Sequence, residues 1–190
     1  LEYNLANAIR RLTSGREQQV AVLSGHGEPD DLWLWDLMSL LDEYYTVERI
    51  PLEEKIFSLT ERDYNADSSA IVARNKYEAV IVANPLLPFS ERDKFILDQY
   101  IMHGGRVLWF LDRTNADMDS LRARPETVGI SRELKLDDML FRYGVRINAD
   151  LLMDIRSMPI PVKTGEVAGQ PQVEFYPWYY MPLAVPASRH

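Results

Sequence analysis

The chain has 190 residues, no cysteine, 46% hydrophobic residues and a formal net charge of −8. That length suits one domain, or one domain with an appendage, and buries roughly 70% of the surface of its unfolded chain, so no disulfide or metal staple is required. Zero cysteine excludes disulfides, thiolate zinc sites and cysteine nucleophiles, and an N-terminal half with 17 acidic against 10 basic residues in 1–95 argues against nucleic acid as a partner.

A lead-in helix is predicted at about 4–13, with Asn4 as cap, Leu5, Ala8, Ile9 and Leu12 as its apolar positions, and Ser14-Gly15 as its end. Gln19 to Ser24 is a near-continuous apolar run bounded by Gly25, the pattern of a strand buried on both faces. A helix from Pro29-Asp30 to about Glu43 places Leu34, Leu37, Met38 and Leu41 on one stripe, with Trp33 and Leu40 on its flank and Leu32 and Trp35 well off it. Thr46 to Ile50 reads as a second strand closed by Pro51. Residues 52–77 carry the weakest pattern; the expectation there is a short helix capped by Asp67 and running through Ile71-Val72-Ala73. Ala79 to Ala83 is a third strand, ended by Asn84-Pro85. Ser90 caps a helix whose Ile96, Leu97, Tyr100 and Ile101 share a face, with Gly104-Gly105 as its left-handed stop. Val107 to Leu111 is the fourth strand, Asp137 to Tyr143 a short helix stopped by Gly144, and residues 145–154 are read as further strand.

Alternating strands and helices with short connections imply an α/β fold with a doubly wound, mainly parallel sheet. The domain organisation expected is a lead-in helix over 1–15, an α/β domain over 16–156, and an extended arm over 157–190. The arm holds six of the 11 prolines together with Phe175, Tyr176, Trp178, Tyr179 and Tyr180. Proline at that density opposes helix and central strand, while the aromatics oppose a disordered linker. The chain opens on Leu1 and closes outside any element, which reads as a piece cut from a longer protein.

The sharpest local feature is Ser24-Gly25-His26-Gly27-Glu28-Pro29-Asp30-Asp31, at the carboxyl end of the first strand, where open parallel sheets bind ligands. It matches neither the dinucleotide nor the P-loop pattern, and its three acids occupy the helix start that a phosphate would need. His26, Glu28 and Asp30 are residue types that can bind a metal, but a tight turn with helix-capping acids is the preferred reading, and no metal or cofactor is expected. His26, Glu28, Asn84 and Asp112, all at strand ends, are the candidates for a ligand crevice. No GxSxG elbow is present, and Ser24 lies too close to His26 in sequence to be its nucleophile, so no catalytic residue is assigned. Leu32 and Trp35, with Trp178, Tyr179 and Tyr180 of the arm, are the candidates for a partner surface.

Several stretches resemble a known family. Val20 to Glu28 looks like its apolar strand followed by GHGE. Pro88-Phe89-Ser90-Glu91 with Leu97 to Trp109 (LDQYIMHGGRVLW) resembles its "LDQYIMNGGKVLW" block, and Leu136 to Asn148 (LDDMLFRYGVRIN) its "LDDLLFKYGVRIN" block. Gln170-Pro171-Gln172 and Phe175 to Leu183 are also similar, whereas residues 52–77 align with nothing. The family is the gliding-motility-associated, Gld-type ABC transporter auxiliary protein of Bacteroidetes, often labelled substrate-binding-like. The resemblance implies a domain on the periplasmic side of the inner membrane, held by membrane segments outside this sequence, with a transporter permease and its ATPase as partners. It also implies a fold like that of class I glutamine amidotransferases and flavodoxins; without the nucleophilic cysteine of those enzymes, the expectation is a non-catalytic binding or scaffold domain. The alternatives are a metal-dependent hydrolase using His26, Glu28 and Asp112, and a receptor domain for a soluble sugar or peptide.

Overall fold

A computed structural model describes residues 5, 18–64, 71–116, 118–122, 126–167 and 169–184. The predicted lead-in helix lies outside the described residues except for Leu5, which is helical. By contacts the chain divides into two compact units, one of residues 1–113 with 132–148 and one of residues 114–131 with 149–190.

The larger unit is built on a four-stranded parallel sheet in the order β2-β1-β5-β6. Its strands are β1 (Gln19–Ser24), β2 (Thr46–Pro51), β5 (Ala79–Ala83) and β6 (Arg106–Phe110). Successive side chains of a strand point to opposite faces, and the two sets meet different partners. Val20, Val22, Ile81 and Ala83 pack with Leu34, Leu37, Met38 and Leu41 of helix α1 (Asp31–Asp42). Ala21, Leu23, Val80 and Val82 pack with Ile96, Leu97 and Tyr100 of helix α2 (Glu91–Met102) and with Met139 and Leu140 of the short helix α3 (Asp137–Arg142). The coarse architecture is therefore mixed α/β, with helices serving both faces of a parallel sheet.

Helix α2 is defined at both ends as its sequence implies. The Ser90 side chain accepts from the Asp93 amide at 3.1 Å, and the chain turns out at Gly104, whose φ is +83°. Lys94 is buried, and its ammonium sits 2.9 and 3.0 Å from the two Asp138 oxygens, which ties α2 to α3. Together with Glu91, 2.7 Å away, Asp138 holds the Lys94 proton more firmly than usual despite burial.

Two expectations fail. Residues 71–75 are not helical: β3 (Thr60–Tyr64) and β4 (Ile71–Asn75) form an antiparallel hairpin, so the crossover from β2 to β5 runs through strands; Asp67 lies outside the described residues. A five-residue segment rich in β-branched side chains forms ladder bonds more readily than a lone helical turn. Residues 145–154 form no strand: the Asp154 amide donates to the Tyr179 carbonyl at 3.0 Å, but no ladder builds on that bond.

In the smaller unit a two-residue pairing, β7 (Thr114–Asn115) with β8 (Ile130–Ser131), flanks a 3-10 turn at Met118–Arg122. Its main feature is a hairpin of β9 (Ser157–Val167) and β10 (Gln170–Pro182). The segment read as an extended arm is thus a two-stranded sheet, in which both strands are edges and proline is tolerated.

Gly105 is the most constrained glycine of the core. A Cβ there would lie 2.4 to 2.6 Å from the Tyr100 ring, and that ring is fully buried with its hydroxyl donating to the Tyr77 carbonyl at 2.9 Å. Gly105→Ala is expected to lower stability by about 2–3 kcal/mol through overpacking. Gly104→Ala, at a left-handed position with open space around it, costs about 1 kcal/mol. Urea unfolding midpoints of the two variants check the ranking.

Candidate functional site

The strand order reverses between β1 and β5, since the chain leaves β1 to one side for β2 and returns on the other side at β5. The carboxyl ends of these two strands flank the position where parallel sheets form ligand crevices. The loop after β1 reaches it through Gly27, whose φ is +76° and whose Cβ, if present, would stand 3.0 Å from the Leu86 Cβ. Only glycine meets both demands. The two loops are then stitched together, because the amides of Leu86 and Leu87 both donate to the His26 carbonyl at 2.8 Å.

His26 turns inward and is buried, stacked on Phe89 with ring centroids 3.9 Å apart and planes 11° from parallel. Its Nε2 lies 3.2 Å from Asp93 Oδ2, and its Nδ1 lies 3.6 Å from Glu28 Oε1, an ion-pair distance beyond hydrogen-bond range. Glu28 Oε2 accepts from the His26 backbone amide at 2.7 Å. Asp93 is held in turn by the Ser90 hydroxyl at 2.9 Å and by the Glu54 amide at 3.1 Å. Burial works to lower the pKa of His26, but the carboxylates of Glu28 and Asp93 outweigh it and raise that pKa above the usual 6.5. Burial likewise works to raise the pKa of Glu28, and the nearby His26 imidazole together with hydrogen bonds from backbone amides outweighs it and brings it below 4.5. The resulting cluster is a histidine between two carboxyl groups that favour its protonated form.

Asn84 adopts a left-handed conformation at the end of β5, with φ at +44°, which asparagine tolerates better than most residues. Its Oδ1 accepts from Arg132 at 3.0 Å, and the same Arg132 nitrogen reaches the Asp112 carbonyl at 3.4 Å. Beside these loops lies an open cavity of about 360 Å³ lined by Gly27, Glu28, Pro29, Asp30, Trp33, Asn84 and Leu86. Of the four crevice candidates, Glu28 and Asn84 line this cavity, His26 sits behind Glu28, and the Asp112 side chain is not in its wall.

The sequence reading missed Asp93, Phe89, Ser90 and Arg132. Asp93 stands 67 positions from His26 and looks like a first-turn acid of α2, so no local spacing could have paired them. The hydrolase alternative needs His26, Glu28 and Asp112 together, and Asp93 takes the place given to Asp112. Ser90 donates to Asp93 rather than to the imidazole, so no activated hydroxyl is formed. Among the described residues no group of three or more His, Cys, Asp or Glu is arranged to hold a metal ion.

The partner-surface candidates lie outside the core. Leu32 is 85% exposed and Trp35 64%, and Trp33, expected on the flank of the apolar stripe, is 82% exposed. Tyr179 and Tyr180 of β10 are exposed and Trp178 half-buried.

Because the folded protein holds the His26 proton more tightly than the unfolded chain, this group stabilises the fold fully below pH 6.5, and the contribution fades as pH rises through the folded value. Glu28 contributes above pH 4.5, and its share is lost as pH falls through its depressed value. Stability is expected to be highest between these limits. His26→Gln, which leaves Glu28 and Asp93 without their cation, should cost about 3 kcal/mol near pH 6 and flatten the decline above it. Urea unfolding from pH 4 to 9 reads both effects, and an unchanged alkaline slope in the variant would contradict the ion-pair account.

Neither a curated protein nor a solved structure gives a match to this chain. The family described as an ABC-type uncharacterized transport system, in its auxiliary component, matches residues 17–190, which takes in the sheet, the crevice and the hairpin. With that match over nearly its whole length, the chain belongs to the ABC transport system auxiliary family.

Proposed function

We propose that the chain is a non-catalytic binding or scaffold domain of an ABC transporter complex linked to gliding motility. It works on the periplasmic side of the inner membrane, tethered by membrane segments outside this sequence, with the transporter permease and ATPase as partners. Family membership supports the transport role. The observation that carries a scaffold reading is the outer surface of α1, where Leu32, Trp33, Trp35 and Leu40 are all exposed on one 12-residue helix. Two aromatic indoles left in water on a single helix are the kind of side chain that anchors protein interfaces. Leu108 and Phe110, which share a sheet face with Ile81 and Ala83 by register, are half exposed on the α1 side of β6.

The finer fold class, a doubly wound sheet like those of class I glutamine amidotransferases and flavodoxins, belongs to the same reading. Its supports are the parallel order with a reversal at β1 and β5 and helices on both faces. On such a fold the amidotransferase reaction needs a cysteine nucleophile, and this chain has none. His26 is committed to Glu28 and Asp93, which favours a structural role over acid–base chemistry.

The receptor reading draws on one observation, the cavity at the strand-order reversal with Trp33, Asp30 and Asn84 in its wall. It concerns a different surface and is compatible with a scaffold that also senses a solute.

Affinity capture of the intact tethered protein from detergent-solubilised membranes is expected to bring down the permease and the ATPase. The double variant Leu32→Glu with Trp35→Glu, altered only at exposed positions, should retain its thermal stability and lose capture by about tenfold or more. Capture unchanged in the variant would remove α1 as the docking face, and no association of the intact protein with either subunit would overturn the scaffold reading.

A further inference from the structure

The smaller unit has an unusual deficit. Among its described residues no hydrophobic side chain is buried, and Thr114 alone is buried at all. Two-stranded sheets, of which this unit has two, are marginal in water, and several of the unit's apolar side chains line one space. That space is a half-enclosed cavity of about 520 Å³, within the range of roughly 300–1,000 Å³ found for small-molecule sites.

The wall has a definite chemistry. Met118 and Leu121 come from the 3-10 turn and Leu151 from the segment before the hairpin, and they give an aliphatic side. Trp178 and Tyr180 of β10 form an aromatic side, with ring centroids 5.8 Å apart and planes tilted by 57°. Glu126 is the one charged residue of the lining, which among the described residues includes no lysine or arginine. Thr127 also lines it, but its hydroxyl already accepts from Ser120 at 2.7 Å.

Angled aromatic faces attract cations through the ring quadrupole, and a carboxylate beside them adds attraction of the same sign. The half of the sequence that holds this cavity is nearly neutral, with 12 acidic and 11 basic residues in 96–190, so the choice between cation and anion rests on Glu126 and the aromatic pair. We propose that this cavity binds a small organic cation with an apolar body, an alkylammonium-type amphiphile whose head meets Glu126 and the Trp178–Tyr180 pair and whose tail covers Leu121 and Leu151. The site is separate from the β1–β5 crevice and does not depend on the scaffold reading.

Decyltrimethylammonium and decanoate, matched in tail and opposite in head charge, test it by titration calorimetry on the 190-residue chain below their micelle-forming concentrations. One decyltrimethylammonium per chain is expected to bind, with decanoate at least about tenfold weaker. Glu126→Gln, which keeps the shape of the side chain, should weaken the cation about three- to tenfold. Leu121→Trp, which fills the cavity, should abolish binding, while the circular dichroism of both variants stays that of the parent. Equal affinity for the two probes, binding that survives Leu121→Trp, or no binding of the cation would each overturn the proposal.

Discussion

The larger unit depends on burying one charged cluster at the carboxyl edge of its sheet. Taking an imidazolium and two carboxylates out of water is costly, and the cost is offset only if each charge finds partners at close range. Here His26 has Asp93 on one side and Glu28 on the other, Phe89 against its ring, and a backbone amide held by Glu28. Asp93 is then anchored by Ser90 and by the amide of Glu54. The loop after β1, the turn after β2 and the start of α2 are thereby fixed to one another. The crevice between β1 and β5 is bounded by the same loops, since the Leu86 and Leu87 amides donate to the His26 carbonyl and Gly27 lets the Leu86 side chain come close.

In this arrangement a histidine, an aspartate, a glutamate and a serine gather at one strand end. A general base needs a free lone pair aimed at a proton it can take. The His26 Nε2 faces Asp93, its Nδ1 faces the Glu28 carboxylate, and the Ser90 hydroxyl is used on Asp93. His26 Nδ1 and Glu28 Oε1, buried without a hydrogen-bond partner, are the exceptions to this mutual engagement. What stays open to solvent beside them is the shallow cavity walled by Trp33, Asp30 and Asn84.

The parts of this fold legible in the sequence are those with a single strong cause. β1 and β5 are buried on both faces, so each is a run of apolar residues, and α2 carries its cap in Ser90 and its stop in Gly104. The hairpin of β3 and β4 was illegible because Thr60-Glu61-Arg62-Asp63 is too polar to show a buried strand, and pairing with residues 71–75 defines it. At the site, His26 and Glu28 were visible through their place after a strand, whereas Asp93 and Arg132 were hidden by distance along the chain. Trp33 was misplaced for a related reason. A helical wheel measures angle alone, and how wide a stripe is covered depends on how far the opposing surface extends.

The hairpin of the smaller unit shows how proline placement restricts what an exposed sheet can do. Pro177 faces Pro159 across the ladder. Two prolines cannot exchange amide hydrogen bonds, so theirs is a non-hydrogen-bonded pair, whose backbone groups point away from the partner strand. Two residues along, Phe175 faces Pro161, and the same outward direction applies. Three of these four outward positions therefore lack an amide donor. Another strand laid against either side would find acceptors without matching donors there, which suppresses edge-to-edge pairing in a segment otherwise rich in exposed Phe, Tyr and Met. The contacts left to this hairpin are made by side chains on its two faces. The same prolines that made the segment unreadable as a strand thus leave the edges of this two-stranded sheet poor templates for a further strand.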